Sequence, residues 1–548
     1  MFEKRFFLIV CFLLLVFLGS KLFGQTTLPV SNSSLEEIFR RKQLMSDTGK
    51  GDLSNFSFMV RPIELEKFTG SNRKLFINLL PVEHLEQFNP KVPLRYADGS
   101  MYPTRGWQGL YAIGAETRYQ NFMLRLRPEY VWAFNQSFPT FPSDHYNIIW
   151  NYYYTWLNKI DQPERFNQEP IRKLFLGQSR LQYEYKNMAV GISTENLWWG
   201  PGRFNSLIMS NNAPGFLHYT FNSTKPIRTP VGSFEWQLVW GGKLKNSGIL
   251  PDETNRTFNG RFVYRPKDSV HQRIFTGGII SWQPKWLKGL FIGTDLASIQ
   301  YKKSGIPSAT MGSVFARYIL PEENAEMYIQ YGRSDKMATA WNLLEDTIPR
   351  GYLAGARKLF RISSRTKKNP SFLQLGIEVT QLQVPNLSLI LQAKSWYTDN
   401  SVRHGFTHNG QVLGAAIGPG SNSQRLEFSW VKGTTKVGIE VERLVHNADF
   451  YYNYNMNSGS KDFNRQWVDL SSSFVWSFSF KQWLFFGQVS FIRSINYNWK
   501  SLIPQPVTPE NYFSDGWDLM NVHRRIGFVY DWSKVLERVK KNKRNNLK

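Results

Sequence analysis

The chain has 548 residues, enough for several soluble domains or for one large barrel. Aromatic residues make up 16% of it (19 Trp, 25 Tyr and 41 Phe), yet mean hydropathy is only −0.38. That pairing argues against helical membrane spans and leaves an aromatic-rich soluble β protein or a membrane β-barrel with alternating faces.

From the N-terminus, Lys4 and Arg5 precede an apolar run from Phe6 to Leu18, followed by Gly19, Ser20 and Gly24. A basic end, a short apolar core and small residues read as a secretory signal over residues 1–24. The expected cut is near Gly24–Gln25, although Leu22 suits a cleavage site poorly. The run is shorter than the ~20 residues of a spanning helix. Cys11, the only cysteine, lies inside the run rather than directly after it, so it is not placed for lipidation. The mature chain then has no thiol for a disulfide, a nucleophile or a metal. The formal charge is +25; the leader carries Lys4, Arg5, Lys21 and Glu3, so its removal leaves +23. In an exported chain without a nucleic-acid motif, such a field suits an anionic surface polysaccharide or the phosphates of outer-membrane lipid.

Leu28–Ser34 reads as a linker. Ser34 then caps a predicted helix over Leu35–Leu44, with Leu35, Ile38, Phe39 and Leu44 near helical spacing and Glu36 and Glu37 in the first turn. Beyond it, Pro62, Pro81, Pro90, Pro93 and Pro103 break any long element. Residues 25–105 are expected to form a small periplasmic, partly helical region.

From Gly106 the period changes to two. Phe122, Leu124, Leu126, Tyr130 and Trp132 alternate with Met123, Arg125, Arg127 and Glu129. Phe234, Trp236, Leu238 and Trp240 alternate with Glu235 and Gln237; Leu373, Leu375, Ile377 and Val379 with Gln374 and Glu378. The rhythm returns at 468–478 and at 526–532. Only one face of such strands can meet lipid, and each run is near the ~9–11 residues that cross a bilayer at a tilt. The expectation is an all-β membrane protein: a single antiparallel transmembrane barrel of roughly 16–18 strands over residues 106–532. A basic tail, 533–548, completes the chain. Bacterial barrels usually end on an aromatic residue read by the barrel-insertion machinery, an expected partner; here the last run stops at Trp532, before the tail.

Between two such runs stands Glu195–Gly215, ENLWWGPGRFNSLIMSNNAPG. Gly200 and Gly202 around Pro201 predict a tight reversal with positive φ on either side. Trp198 and Trp199 offer flat faces for stacking on pyranose rings. Arg203, Asn205, Asn211 and Asn212 offer a guanidinium and planar amides, and His218 and Arg228 lie just downstream. Two readings stand side by side: a site that holds a sugar without reacting with it, or an inward-folded turn whose Asn side chains cap backbone groups.

For catalysis, Glu195, Glu235 and Glu440 are conceivable glycosidase carboxylates, but no spacing singles out a pair, and inward carboxylates commonly neutralise inward arginines such as Arg118, Arg125 and Arg127. His404 and His408 lack a third ligand nearby, and no phosphate loop, nucleophile elbow or dinucleotide fingerprint occurs. No cofactor is expected.

The segment 195–215 resembles the signature of the Wzi-type capsule assembly proteins, outer-membrane β-barrels of Gram-negative bacteria. Ala325–Arg333 (AEMYIQYGR), Pro349–Ala356 (PRGYLAGA) and Arg403–Gln424 look like later blocks of that family, in the same order. The resemblance implies a barrel that holds capsular polysaccharide at the cell surface, with no catalytic chemistry. The alternative is a porin-like channel for small solutes or oligosaccharides.

Overall fold

The computed structural model describes residues 27–28, 33–45, 55–64, 75–94, 97–303, 305–334, 348–362, 370–384, 394–458, 465–502 and 516–531. The predicted leader, most of the linker, Trp532 and the tail 533–548 lie outside them. Among the described residues, antiparallel strands follow one another around one closed sheet. It shuts where Leu519–Tyr530 meets Val82–Asn89, with Tyr530 opposite Val82 and Arg524 opposite Phe88.

Several wall strands come in two parts. Leu75–Leu79 continues into Val82–Asn89, Gly106–Ala112 into Ala115–Tyr119, and Phe122–Leu126 into Glu129–Ala133. Ile171–Phe175 continues into Arg180–Tyr185, and His218–Ser223 into Ile227–Thr229. Pro81, Pro128 and Pro226 sit at three of these breaks, where a missing N–H interrupts the ladder. With each two-part strand taken as one, the described wall has 18 strands, at the top of the expected range.

The alternation read from the sequence is the alternation of the wall. Leu238, Trp240, Leu375, Ile377, Phe474 and Ile526 are exposed on the outside, while Glu235, Gln237, Gln374, Glu378, Asp469 and Ser473 are buried inside. With its two parts taken together, each described wall strand has a neighbour on both sides, which gives its backbone groups the partners that lipid cannot supply. Trp483, Phe485, Phe528 and Tyr530 form an aromatic patch beside the tight turn at 481–482, with centroid distances of 4.7–5.8 Å. Such patches suit the membrane interface. Tight turns gather at this end and long loops at the other, and in barrels of this kind the long loops face outward.

The expected division at residue 105 is corrected. Among the described residues the wall begins at Leu75, and the predicted helix, here α1 (Ser33–Leu44), lies inside the barrel rather than in a separate periplasmic region. Its Arg40 and Arg41 are almost wholly buried, and Arg40 pairs with Glu326 on the inner face of Ala325–Ser334. A helix so polar cannot form a core of its own, whereas an inward-facing carboxylate wall gives its cations partners.

Two further segments fill the lumen, 195–215 and 394–421. Trp199, Leu207, Ile208, Trp396, Tyr397, Leu413 and Ala415 are buried together with Phe275, Phe291, Phe315 and Leu353 of the wall. Over the long-loop end lie two helices that the two-residue rhythm does not predict, α2 (Asn147–Leu157) and α3 (Ala448–Ser458). Aromatic packing joins them: Phe141 stacks on Tyr153 at 3.9 Å, and Phe450 meets Trp499 edge-on at 4.9 Å. No described helix is long and apolar enough to cross a membrane.

Candidate functional site

The segment 195–215 leaves the wall after Ser193, crosses the lumen and rejoins the wall at His218. Trp198 and Trp199 form a short ladder with Arg61 and Val60. Gly200 has φ +116°, and a Cβ there would meet the Gln330 side-chain amide at 2.8 Å. Gly202 differs from expectation: its φ is not in the left-handed range, and it is required because a Cβ would strike the carbonyl oxygen of Asn205. The turn aims three successive amides at one carboxylate. Arg203, Phe204 and Asn205 donate their backbone N–H groups to Glu378 at 2.7, 3.2 and 2.8 Å, and Tyr328 adds its hydroxyl at 2.8 Å. Such a nest binds anions, and here the wall supplies the anion.

Most of the residues singled out as sugar contacts are engaged inside the protein. Trp198 lies under the Arg61 guanidinium at 4.9 Å. Trp199 is fully buried and donates Nε1–H to Gln237 at 2.8 Å. Arg203 pairs with Glu427 at 2.8 Å and Glu37 at 3.3 Å. Asn211 accepts from Asn196 at 2.7 Å and donates to the Ala97 carbonyl at 3.0 Å; Asn212 donates to the Val412 carbonyl at 2.9 Å. The buried His218 holds Nδ1 2.7 Å from the Phe216 carbonyl. Arg228 is exposed beside a tight turn, apart from the others. Asn205 alone of the eight reaches the cavity at the long-loop end.

The carboxylates and histidines are likewise partnered. Glu195 lies between Arg125 at 2.9 Å and Arg180 at 3.4 Å, Glu440 beside Lys436 at 3.2 Å, and Glu235 accepts the Ser57 amide at 2.8 Å. Arg118 meets Glu184 at 2.6 Å, and Arg127 meets Glu83 at 2.7 Å. His404 contacts the Tyr301 hydroxyl at 2.7 Å, and His408 accepts the Lys245 amide at 2.9 Å. Among the described residues no three His, Cys, Asp or Glu side chains group as metal ligands.

Toward the tight-turn end, α1 is held by a buried ionic network. Glu326 receives Arg40 at 3.1 Å, Arg317 at 2.6 Å and Arg357 at 2.7 Å. Glu37 meets Arg357 at 2.6 Å and Arg203 at 3.3 Å. Burial by itself raises the Glu37 carboxyl, but Arg203 and Arg357 outweigh it and hold it down at about 2.

At the long-loop end the filling stops short and leaves a cavity of about 190 Å³, several times the ~30 Å³ share of one water. Tyr153 and Trp156 of α2, with Trp467, Tyr497 and Trp499 of the outer loops, give it aromatic walls. Its polar groups include Glu164, Arg425, Glu442, His446, Asp469 and Asn498. His446 stacks on Trp467 at 3.8 Å and bonds Asp469 at 2.8 Å; Trp467 donates Nε1–H to the same carboxylate at 3.1 Å. Glu164 accepts the Phe141 amide at 2.8 Å and the Asn498 amide at 3.0 Å, and loss of solvent raises its carboxyl. Sequence reasoning missed this grouping because Arg425, Glu442 and Asp469 look like any other inward strand positions, while Glu164, His446 and Asn498 lie between strands, where no period marks them. The one available signal was the aromatic run NIIWNYYYTWL between two alternating segments.

The profile of the family described as capsule assembly protein Wzi matches residues 111–450, well over half of the chain. The chain belongs to this family. Among solved structures it is similar to Wzi of Escherichia coli, an outer-membrane protein involved in group 1 capsule assembly and a carbohydrate-binding β-barrel. Identity there is 12%, with 92% of this chain and 99% of that one covered, at a TM-score of 0.56. Weaker likenesses are to OccAB2 of Acinetobacter baumannii (11% identity, 82% and 97% covered, TM-score 0.39) and to a BenF-like porin of Pseudomonas fluorescens Pf-5 (8% identity, 84% and 99% covered, TM-score 0.37). No curated protein matches. As a Wzi-family barrel the protein resides in the outer membrane. The blocks that carry the resemblance meet in space: Ala325–Ser334 pairs with Arg350–Arg361, Gln330 faces Gly200, and the Leu413 carbonyl accepts the Ser210 amide at 2.8 Å.

Proposed function

We propose that this protein is a non-catalytic binder of surface polysaccharide that helps assemble or attach capsule at the cell surface. The observation that carries the reading is the asymmetry of the lumen. Its described interior is filled by the chain's own segments, while an aromatic-walled, polar cavity remains at the long-loop end. Aromatic faces beside hydrogen-bonding groups suit a sugar ring, and many such weak contacts along one polymer add through multivalency. The segment 195–215 then serves as the inner scaffold, and the grip on the polymer belongs to the outer loops. Family membership supports the capsule role. The carboxylates weighed for hydrolysis all have protein partners, which supports a role without bond cleavage.

Deletion of the gene tests this, with cell-attached and shed polysaccharide measured separately. The expected result is a fall in the attached fraction with total synthesis unchanged. Unchanged attachment overturns the reading. Purified protein is expected to release no reducing ends from capsule, and Glu195→Gln to leave attachment intact wherever the barrel still folds.

A further inference from the structure

The positive net charge points to an acidic glycan, but the cavity at the long-loop end has the opposite character. Resting on the polysaccharide-binding reading, we propose that this cavity takes an uncharged hexose residue of the polymer and discriminates against a uronate.

Three carboxylates, Glu164, Glu442 and Asp469, line it. Among the described lining residues Arg425 is the only Lys or Arg, and it is already engaged. It pairs with Glu440, lies 3.8 Å from Glu442 and covers the Phe204 ring at 3.9 Å. His446 is committed to Asp469 and to its stack on Trp467. A ligand carboxylate would therefore enter among like charges with no cation left to answer it, and a buried unpaired charge is costly.

A neutral sugar brings what the cavity lacks. Trp499 and Asn447 both line it and are only 3% and 5% exposed, yet Trp499 Nε1 and Asn447 Nδ2 have no hydrogen-bond partner. Trp156 Nε1 on α2 and Gln162 Oε1 just beyond that helix are in the same condition. Three unanswered donors and one acceptor, beside carboxylates able to accept more, match hydroxyls that both donate and accept. Buried polar atoms left unpaired in this way call for a partner. The edge-on Trp467–Trp499 pair, 5.1 Å apart, sets two ring planes at a right angle in the same wall.

The test uses the full detergent-solubilised protein at low salt, where the net charge most favours an anion. Tryptophan quenching and calorimetry compare gluco-, galacto- and manno-configured trisaccharides with the uronate counterpart of each. At least one neutral sugar is expected to bind about tenfold or more tighter than its uronate. Trp499→Phe keeps a ring but removes the N–H and is expected to weaken that binding about three- to tenfold. Ser471→Trp fills the cavity from the wall strand Val468–Phe480 and should abolish binding, with the barrel still migrating as folded on an unheated gel. Uronates that bind equally well, no neutral sugar that binds, or a folded Ser471→Trp protein that binds as the parent does would each overturn the proposal. Immobilised protein is tested in parallel with intact polymer. Retention of polymer alongside any of those results removes the hexose assignment alone, whereas failure to retain polymer removes the broader reading as well.

Discussion

At Glu378 one carboxylate closes a nest opened by three successive amides, and so fixes the Gly-Pro-Gly turn to the wall. Glu378→Gln weakens charge-assisted bonds and turns an amide toward N–H donors, so a loss of about 1–3 kcal/mol is expected. It would be read as a lower temperature of barrel unfolding on a heat-modifiability gel. Trp199→Ala empties a fully buried site and is expected to cost about 3–5 kcal/mol. Because Trp199 packs inside, polysaccharide binding per folded molecule should stay unchanged; a selective loss of binding would make the ring a glycan contact after all. The tryptophans and glycines were legible as places of tight geometry. Their partners Gln237 and Glu378 were not, lying 38 residues from Trp199 and 175 from Arg203.

α1 was legible as a helix from its cap and spacing, but not as a plug. A polar helix before a barrel reads as a detached domain until the wall's Glu326 supplies a partner for Arg40. Glu326→Gln leaves Arg40, Arg317 and Arg357 without their shared anion and is expected to cost about 3–5 kcal/mol, seen as faster proteolysis of the N-terminal segment. The seating of α1 also depends on pH. Glu37 is held at about 2, below its ordinary 4.5, so its contribution is whole above about 4.5 and is lost as pH falls toward 2. Protection of α1 from protease should therefore hold at pH 7 and weaken at pH 3, and Glu37→Gln should show weakened protection already at pH 7. A protection profile flat from pH 7 to 3 in the parent protein would contradict this.

For the molecule as a whole, the filled lumen bears on transport. Segments 33–44, 195–215 and 394–421 occupy the space that a barrel of this size encloses, and Trp199, Trp396, Leu207 and Leu413 pack there as in a soluble core. Proteoliposomes are expected to show little swelling with small sugars and only rare conductance events at pH 7. Robust steady conductance would favour the channel alternative.

The two-residue rhythm alone determined the all-β class, the inward and outward faces and a strand number near the one observed, because lipid outside and polar groups inside leave a mark on every second residue. It could not determine where the wall begins or what the lumen holds. Val82–Phe88 closes the wall by pairing with a strand at the far end of the chain, and α1 enters the lumen through charges on strands hundreds of residues away. The cavity at the long-loop end was likewise decided by tertiary structure, since it joins loop side chains that obey no period to inward residues of several wall strands, and these meet only once the barrel has closed.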